Sequence, residues 1–438
     1  MSKQNIEIPW GAEKLPISLP ESWELCGILE PSPRSAVADA TAETERALSE
    51  PVGSMRLGAM VKPGANIALV IDDGSRPTPV ASLLPAVLAE LLRGGALLEK
   101  ITVVPALGVH RMMTDDEVVQ RIGGEWAAKL KWEHHDCDDP LRLADLGVTS
   151  RGTPVLINRT VAEADLVVSI GCIEPHIIAS FGGGYKNIIP GVAGRATIAH
   201  NHGLNCTPDT FNMVGQPIES NPMRLDLEEG ASKLKAPVFI INAVLNSSLK
   251  PVAVVAGDPI AAHRAGAKIS ASIYGVPVPG LADVLITGSH PMDQDLRQGV
   301  KALANTIRGV RPGGVMLNLI RADEGVGVFG LAARKLPVGR KALKLLAPLL
   351  LPRISKIKLN GTNEEDKFFL YFALQGMLRA DLLLYAPTIP EKIHENLPFV
   401  TFMPSVEAGI ERARKRFPGK ARVLVAPHAG MTYPILPE

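Results

Sequence analysis

Ile67-Ala68-Leu69-Val70-Ile71-Asp72-Asp73-Gly74-Ser75-Arg76-Pro77-Thr78-Pro79 decides the fold. An apolar run closed by turn residues is the pattern of a strand buried on both faces. Pro79–Leu92 follows with a strong apolar face and reads as a helix. Ile101–Pro105 repeats the strand signal. Thr114–Ile122 repeats the helix signal, and Thr114 with Glu117 three residues on fits a capping box. Asp165–Gly171 is a further strand. Strands that alternate with helices imply parallel βαβ units.

A second series follows Val276-Pro277-Val278-Pro279-Gly280, a proline-rich linker candidate. Asp283–Gly288, Gly314–Ile320, Asp381–Ala386 and Arg422–Ala426 read as strands. Asp295–Ile307, Glu364–Leu378 and Val406–Lys415 read as helices. The expected architecture is α/β, with two α/β domains of mainly parallel sheet, residues 1–275 and 281–438, and an active site in the cleft between them. Residues 1–48 are expected to pack on the first domain. The residues from Ala426 onward are free, on sequence grounds, to return to it.

Composition narrows the function. Of 438 residues, 46 are Lys or Arg and 45 are Asp or Glu, and aromatic content is 4%. That balance favours neither nucleic acid nor an anionic membrane as partner. The four cysteines Cys26, Cys137, Cys172 and Cys206 are scattered, with no C-x-x-C pair. They argue against a disulfide scaffold and a thiolate zinc site. Residues 1–7 lack the apolar core of a signal peptide, and the Leu345–Leu351 run is too short to span a bilayer. A cytoplasmic location is expected.

In doubly wound sheets ligands collect at the carboxyl ends of strands. Three polar motifs lie there: Asp72–Pro79, Gly108–Thr114 and Gly171–Gly191. The last contains Glu174-Pro175-His176 and then Gly182-Gly183-Gly184-Tyr185-Lys186. Three glycines let backbone N–H groups approach a ligand without Cβ interference. The run equally suits a structural turn, and Lys186 a solvated or phosphate-contacting role. His110 and His176 are base candidates or structural hydrogen bonders. Arg76 offers a planar fork for an anion or a pairing with Asp73. His200 and His202 would point the same way in a strand, as metal ligands can. Gln298 and Lys301 share a helix face that is either functional or solvated. The Gly-x-Gly-x-x-Gly spacing is missing after the first strand, which disfavours a standard NAD fold.

Together these pieces resemble the lactate racemase family. The matching motifs are Asp73-Gly74-Ser75-Arg76-Pro77, His110-Arg111-Met112-Met113-Thr114, Pro175-His176 through Lys186 to Pro190-Gly191, and Gln298-Gly299-Val300-Lys301. The resemblance implies a nickel-pincer nucleotide, a pyridinium-derived mononucleotide joined to Lys186 as a thioamide. Its two sulfurs and a ring carbon bind nickel, and a histidine completes the set. The family's spacing favours His202 over His200. Asp73, Ser75, Gly182, Gly183 and Gly184 would contact the cofactor. His110 and His176 would be the acid/base groups on the two faces of a 2-hydroxyacid. Arg76, Gln298 and Lys301 would hold its carboxylate. The cofactor's biosynthetic proteins would be transient partners.

Three positions depart from the family pattern. Ser75 stands where threonine is common. Gly182 stands where many members carry serine. Arg297 stands where lactate-acting members tend to carry an aromatic, which suits a larger or more polar substrate. The leading reading is a 2-hydroxyacid racemase or epimerase. Its competitors are a 2-hydroxyacid redox enzyme on the same cofactor and a non-catalytic cofactor-binding protein.

Overall fold

The computed structural model describes residues 5–207, 212–327, 329–333, 335–356 and 364–437. Its centre is two six-stranded sheets. The first runs in the order Pro251–Gly257, Val238–Leu245, Leu166–Cys172, Ile67–Asp72, Ile101–Ala106, Lys131–Trp132. All its pairs are parallel except Val238–Leu245 with Pro251–Gly257. Every residue of Ile67–Asp72 is buried, as the unbroken apolar run required. The Val80–Arg93 helix covers one face through Leu83, Leu84, Val87, Leu88 and Leu91. The opposite face is closed by Val155, Ile157, Ile188, Met223 and Leu227.

The second sheet runs Thr401–Phe402, Ala380–Tyr385, Val310–Leu319, Ala282–Gly288, Ala421–Ala426, Trp23–Ile28. All its pairs are parallel. Chain order reverses between Leu166–Cys172 and Ile67–Asp72 in the first sheet. It reverses between Ala282–Gly288 and Ala421–Ala426 in the second. Such switch points splay the following loops apart and open a crevice at the carboxyl ends. The α/β reading with largely parallel sheets therefore holds.

The N-terminal stretch is a correction. Ile6, Ile8, Ile17 and Trp23 pack with Val284, Leu317 and Val425 of the second sheet, and Trp23–Ile28 forms its edge. Only the Ala40–Ser49 helix of that stretch joins the first core, through Ala47 and Leu48. A strand pairing with residues nearly four hundred positions away leaves no local signal to read. The linker candidate contains a short strand: Gly275–Pro277 pairs in parallel with Tyr433–Ile435. Met431 and Tyr433 pack against Ile173, Phe181 and Val255, so the chain's end returns to the first core. Among the described residues no helix is long and apolar enough to cross a membrane.

Candidate active site

One pocket gathers residues that follow both switch points. Asp73, Ser75, Arg76, His110, His176, Gly182, Gly183, Lys186 and His202 line it together with Arg297, Gln298 and Lys301. Gly184 and His200 are not in its wall.

The first loop is held from below. Asp72 is buried, accepts from Thr78 Oγ1 at 2.7 Å and pairs with Arg121 at 3.0 Å. Arg121 also donates to the carbonyls of Asp72 and Arg76, so a helix residue fixes both ends of the turn. Asp73 caps the turn through Ser75 Oγ at 2.6 Å, and its other oxygen meets His110 Nδ1 at 2.6 Å. Burial works against the Asp73 charge, yet the His110 and Ser75 hydrogen bonds and the Arg76 charge bring its pKa down to about 2. An ionised Asp73 only accepts, so His110 donates from Nδ1, and in the neutral ring Nε2 holds the lone pair.

Arg76 Nη1 donates to Glu174 Oε1 at 2.5 Å. Both side chains are largely buried, which strengthens the pair electrostatically. Glu174 stands two residues before His176, yet nothing in the local sequence marks it as the partner of Arg76.

His176 is set the other way round from His110. Its Nδ1 accepts the backbone N–H groups of Ile178 at 3.3 Å and Ala179 at 3.2 Å. In the neutral ring Nε2 then carries the proton. Burial, followed by the charges of Lys186 and Arg76, holds its pKa well below the usual histidine range.

The glycine run is pinned by its carbonyls. Fully buried Arg224 donates to Ala179 O, Phe181 O and Gly183 O. His263 Nε2 meets Gly182 O at 2.9 Å. Gly184 N donates to Asn242 Oδ1 at 2.8 Å, behind the loop, which is why Gly184 is absent from the wall. Gly183 has φ of +75°, and an added Cβ would sit 2.6 Å from Ile173 Cγ1 and 2.7 Å from Asn242 Oδ1. Glycine is required there for both reasons. The same turn carries Lys186 into the wall. Burial, then the charges of Arg76 and Arg224, hold its amine well below the usual lysine range.

His200 and His202 lie on the Arg195–Gly203 helix, not a strand. Two residues on a helix are separated by about 200°, so the rings diverge. His200 Nδ1 bonds Thr153 Oγ1 at 2.8 Å. His202 Nδ1 donates to Ile198 O at 2.9 Å, which leaves Nε2 as its lone-pair nitrogen. Burial and the Lys186 charge push its pKa down to about 4, so it stays neutral, as a metal ligand must.

The opposite wall belongs to the second sheet. Asp295 caps Leu296–Gly299 by accepting from Gln298 N at 2.7 Å. The expected single helix over Asp295–Ile307 is divided at Val300, and its second part is Lys301–Thr306. Gln298 Oε1 is buried without a hydrogen-bond partner among the described residues. Burial, then the charge of Arg76, pull Lys301 down to about 8. Phe368 and Phe369, from the Glu364–Arg379 helix, complete the wall, and the Arg297 guanidinium lies 5.5 Å from the Phe369 ring centre.

The arrangement can place an anion among cations, between one imidazole with an open nitrogen and one that presents N–H. Fold and pocket together are those of an α/β enzyme whose acid/base side chains stand beside cations. Residues 10–212 match the family model of the lactate racemase N-terminal domain. A lactate racemase of Thermoanaerobacterium thermosaccharolyticum is 32% identical over 74% of this chain and 76% of its own. One of Lactiplantibacillus plantarum is 31% identical over 65% and 67%. The lactate racemase apoprotein structure from the former organism superposes with a TM-score of 0.85 at 27% identity, covering 99% of this chain and 100% of that one. A Thermotoga maritima protein shares the fold, with a TM-score of 0.64 at 16% identity. The chain belongs to the lactate racemase family and is an enzyme of the isomerase class.

Proposed function

We propose that this protein racemises or epimerises C2 of a 2-hydroxyacid larger or more polar than lactate, with a nickel-pincer nucleotide as cofactor. The residues present fit that group. Lys186 is a buried amine held toward its neutral, nucleophilic form. His202 keeps a lone-pair nitrogen in the same pocket, and imidazole with soft sulfur donors suits nickel. The buried Gln298 Oε1 has no hydrogen-bond partner among the described residues, which leaves it available to a donor on a bound molecule. Lys186 would hold the nucleotide covalently, His202 would ligate nickel, and Asp73, Ser75 and Gly182–Gly184 would support the cofactor. Bound there, the group supplies a reversible hydride acceptor.

The chain's own residues do the rest. Arg76, Gln298 and Lys301 hold the substrate carboxylate and fix C2 relative to the histidines. His110 Nε2 takes the hydroxyl proton, and Asp73 stabilises the imidazolium that forms. On the opposite face a protonated His176 would give its Nε2 proton to the carbonyl oxygen after the 2-oxoacid turns over, and the proton taken up by His110 would make good the loss, so that neither ring becomes an imidazolate. The two-sheet pocket limits water around the reacting carbon. Small-molecule substrate and the cofactor's biosynthetic proteins are the proposed partners, and nucleic acid and membrane are not.

The observation that carries this reading is the convergence of His110, His176, Arg76, Lys301 and the Lys186 amine on one pocket. One observation favours a second reading. With Nδ1 of His176 taken by backbone donors, His110 alone is arranged as a base in the resting site. A one-sided 2-hydroxyacid redox enzyme on the same cofactor needs only one.

The test is intact mass and nickel content on protein produced with the cofactor's biosynthetic proteins, followed by chiral analysis of single-enantiomer 2-hydroxyacids. An adduct on Lys186, about one nickel per chain and a mixture of enantiomers are expected. Net 2-oxoacid without inversion would favour the redox reading. No adduct, while a lactate racemase control loads, would overturn both.

A further inference from the structure

The Gly182–Gly183 peptide is tied from one side only. Its carbonyl oxygen meets His263 Nε2 at 2.9 Å. A trans peptide points its N–H opposite to its C=O, so the Gly183 N–H faces away from His263. His263 is not in the pocket wall, whereas Gly182 and Gly183 both are. The Gly183 N–H is therefore turned to the pocket side, and no acceptor among the described residues takes it. Its two neighbours already have acceptors. Gly182 N donates to Glu174 O at 2.7 Å and Gly184 N to Asn242 Oδ1 at 2.8 Å. Gly183 is buried, and a buried backbone donor without an acceptor is rare.

The direction of this peptide depends on a tautomer. His263 is fully buried on the Ala261–Tyr274 helix. Arg264 Nη1 lies 3.0 Å from His263 Nδ1. A guanidinium only donates, so Nδ1 holds the lone pair and Nε2 carries the proton that Gly182 O accepts. Burial, then the charges of Arg224 and Arg264, hold the His263 pKa well below the usual histidine range, so the ring is neutral and carries a single such proton. Arg264 is held in turn by both oxygens of Glu228, at 2.7 and 2.8 Å. With the proton on Nδ1 instead, a lone pair would face Gly182 O and the peptide would lose its anchor.

We propose that His263 is a positioning residue: through Gly182 O it aims the Gly183 N–H at an acceptor atom, oxygen or sulfur, of the nucleotide carried by Lys186. Lys186 is three residues on and lines the same pocket. Its own backbone N–H donates to Gly183 O at 3.3 Å, so donor and amine belong to one turn. A backbone donor fixed in advance needs no reorganisation when its acceptor arrives. The inference rests on the cofactor reading above and assigns part of the cofactor's support to a residue outside the pocket.

The experiment compares wild type with His263→Leu, His263→Gln and Arg264→Met, each produced with the cofactor's biosynthetic proteins. Leucine keeps the site apolar and removes the donor. Glutamine keeps an N–H near the place of Nε2. Arg264 is partly exposed, so Arg264→Met releases the tautomer without opening the core and carries the test where His263→Leu does not fold. Adduct mass and nickel content are read beside the urea midpoint of the unloaded proteins. A third readout is the Gly182–Gly183 resonance in protein whose glycines carry labelled carbonyl carbon and amide nitrogen, where only Gly-Gly peptides give correlated signals.

His263→Leu should lower adduct and nickel per chain about ten- to hundredfold, as losing a group that orients a ligand from behind does. Arg264→Met should shift loading the same way by less, and His263→Gln should restore most of it. The Gly182–Gly183 resonance should move on loading in wild type and in His263→Gln. Equal loading in all four proteins overturns the inference and leaves the cofactor reading standing. Equal loss in His263→Leu and His263→Gln marks His263 as core packing and overturns it too, as does a wild-type resonance that ignores loading. Wild type that takes no adduct, while a lactate racemase control does, overturns both.

Discussion

Asp73 Oδ2 and His110 Nδ1 meet at 2.6 Å, from loops that follow two neighbouring strands of the first sheet. The contact decides which nitrogen of His110 faces chemistry. An acceptor-only partner takes Nδ1–H and leaves Nε2 open. Asp73→Asn replaces the acceptor with an amide that can also donate, so the wrong tautomer becomes accessible. Turnover of nickel-loaded protein should fall on the order of 10²–10⁴-fold, as when a carboxylate that orients a catalytic histidine is removed. Equal nickel content in the variant excludes a loading defect. Unchanged turnover would remove Asp73 from the proton path.

The same pair predicts an acid limb of stability. The Asp73 pKa is depressed to about 2 in the fold, so its contribution is present above the unfolded carboxyl pKa and lost as pH falls toward 2. The contribution at neutral pH is about 2 kcal/mol. Urea midpoints of wild type and Asp73→Asn should differ at pH 6 and converge between about pH 4 and pH 2. A constant difference would mean that the charge is not what stabilises the loop.

Gly183 and Gly74 should respond oppositely to alanine. At Gly183 the positive φ and the close Ile173, Asn242 and Cys172 atoms oppose a Cβ. The loss should be at least about 2 kcal/mol, from backbone strain and overpacking together. Gly74 has nothing within 4 Å of an added Cβ and needs no unusual φ. Gly74→Ala should leave Tm nearly unchanged. Calorimetry on the unloaded proteins makes the comparison, and similar losses would contradict the assigned roles.

His202→Ala should abolish nickel binding with the Lys186 adduct still forming. His200→Ala should keep nickel and lose stability instead. The reason is the helix: His200 supports Thr153, which also donates to Asp226 at 2.7 Å. Metal analysis beside intact mass distinguishes the two, and nickel loss only in the His200 variant would invert the assignment.

Legibility followed the range of the interactions. The Ile67–Asp72 strand was readable residue by residue, because burial on both faces demands an unbroken apolar run. The Thr114–Glu117 capping box was readable because both partners lie within one turn. The pairing of Trp23–Ile28 with Ala421–Ala426 was not, since neither segment carries the other's register. Nor was the orientation of His200 and His202, because a two-residue spacing means one face on a strand and two on a helix. At the site, glycines, histidines and Lys186 were legible by type and position after strands. Arg224, His263, Asn242 and Arg121 were not, because they act on backbone groups of distant loops. Phe368 and Phe369 carry no local mark of a site within their helix, and tertiary packing alone brings Phe369 to Arg297.

Lys186 should be a cost to the unloaded fold, and the sign can be followed with pH. Its pKa is depressed in the fold because burial disfavours the ammonium, with Arg76 and Arg224 adding repulsion. The unfolded chain then binds this proton more tightly than the native site does, so stability rises with pH up to about 10.4, the unfolded lysine value. Lys186→Met removes that titration and keeps most of the volume. The variant should be more stable than wild type at pH 7, and its advantage should shrink steadily toward pH 10. It should also accept no adduct under loading conditions. Urea unfolding across that range, with intact mass after co-production, tests both halves. A pH-independent difference would mean that burial does not depress the amine's pKa, and the case for Lys186 as the nucleophile would lose its physical basis.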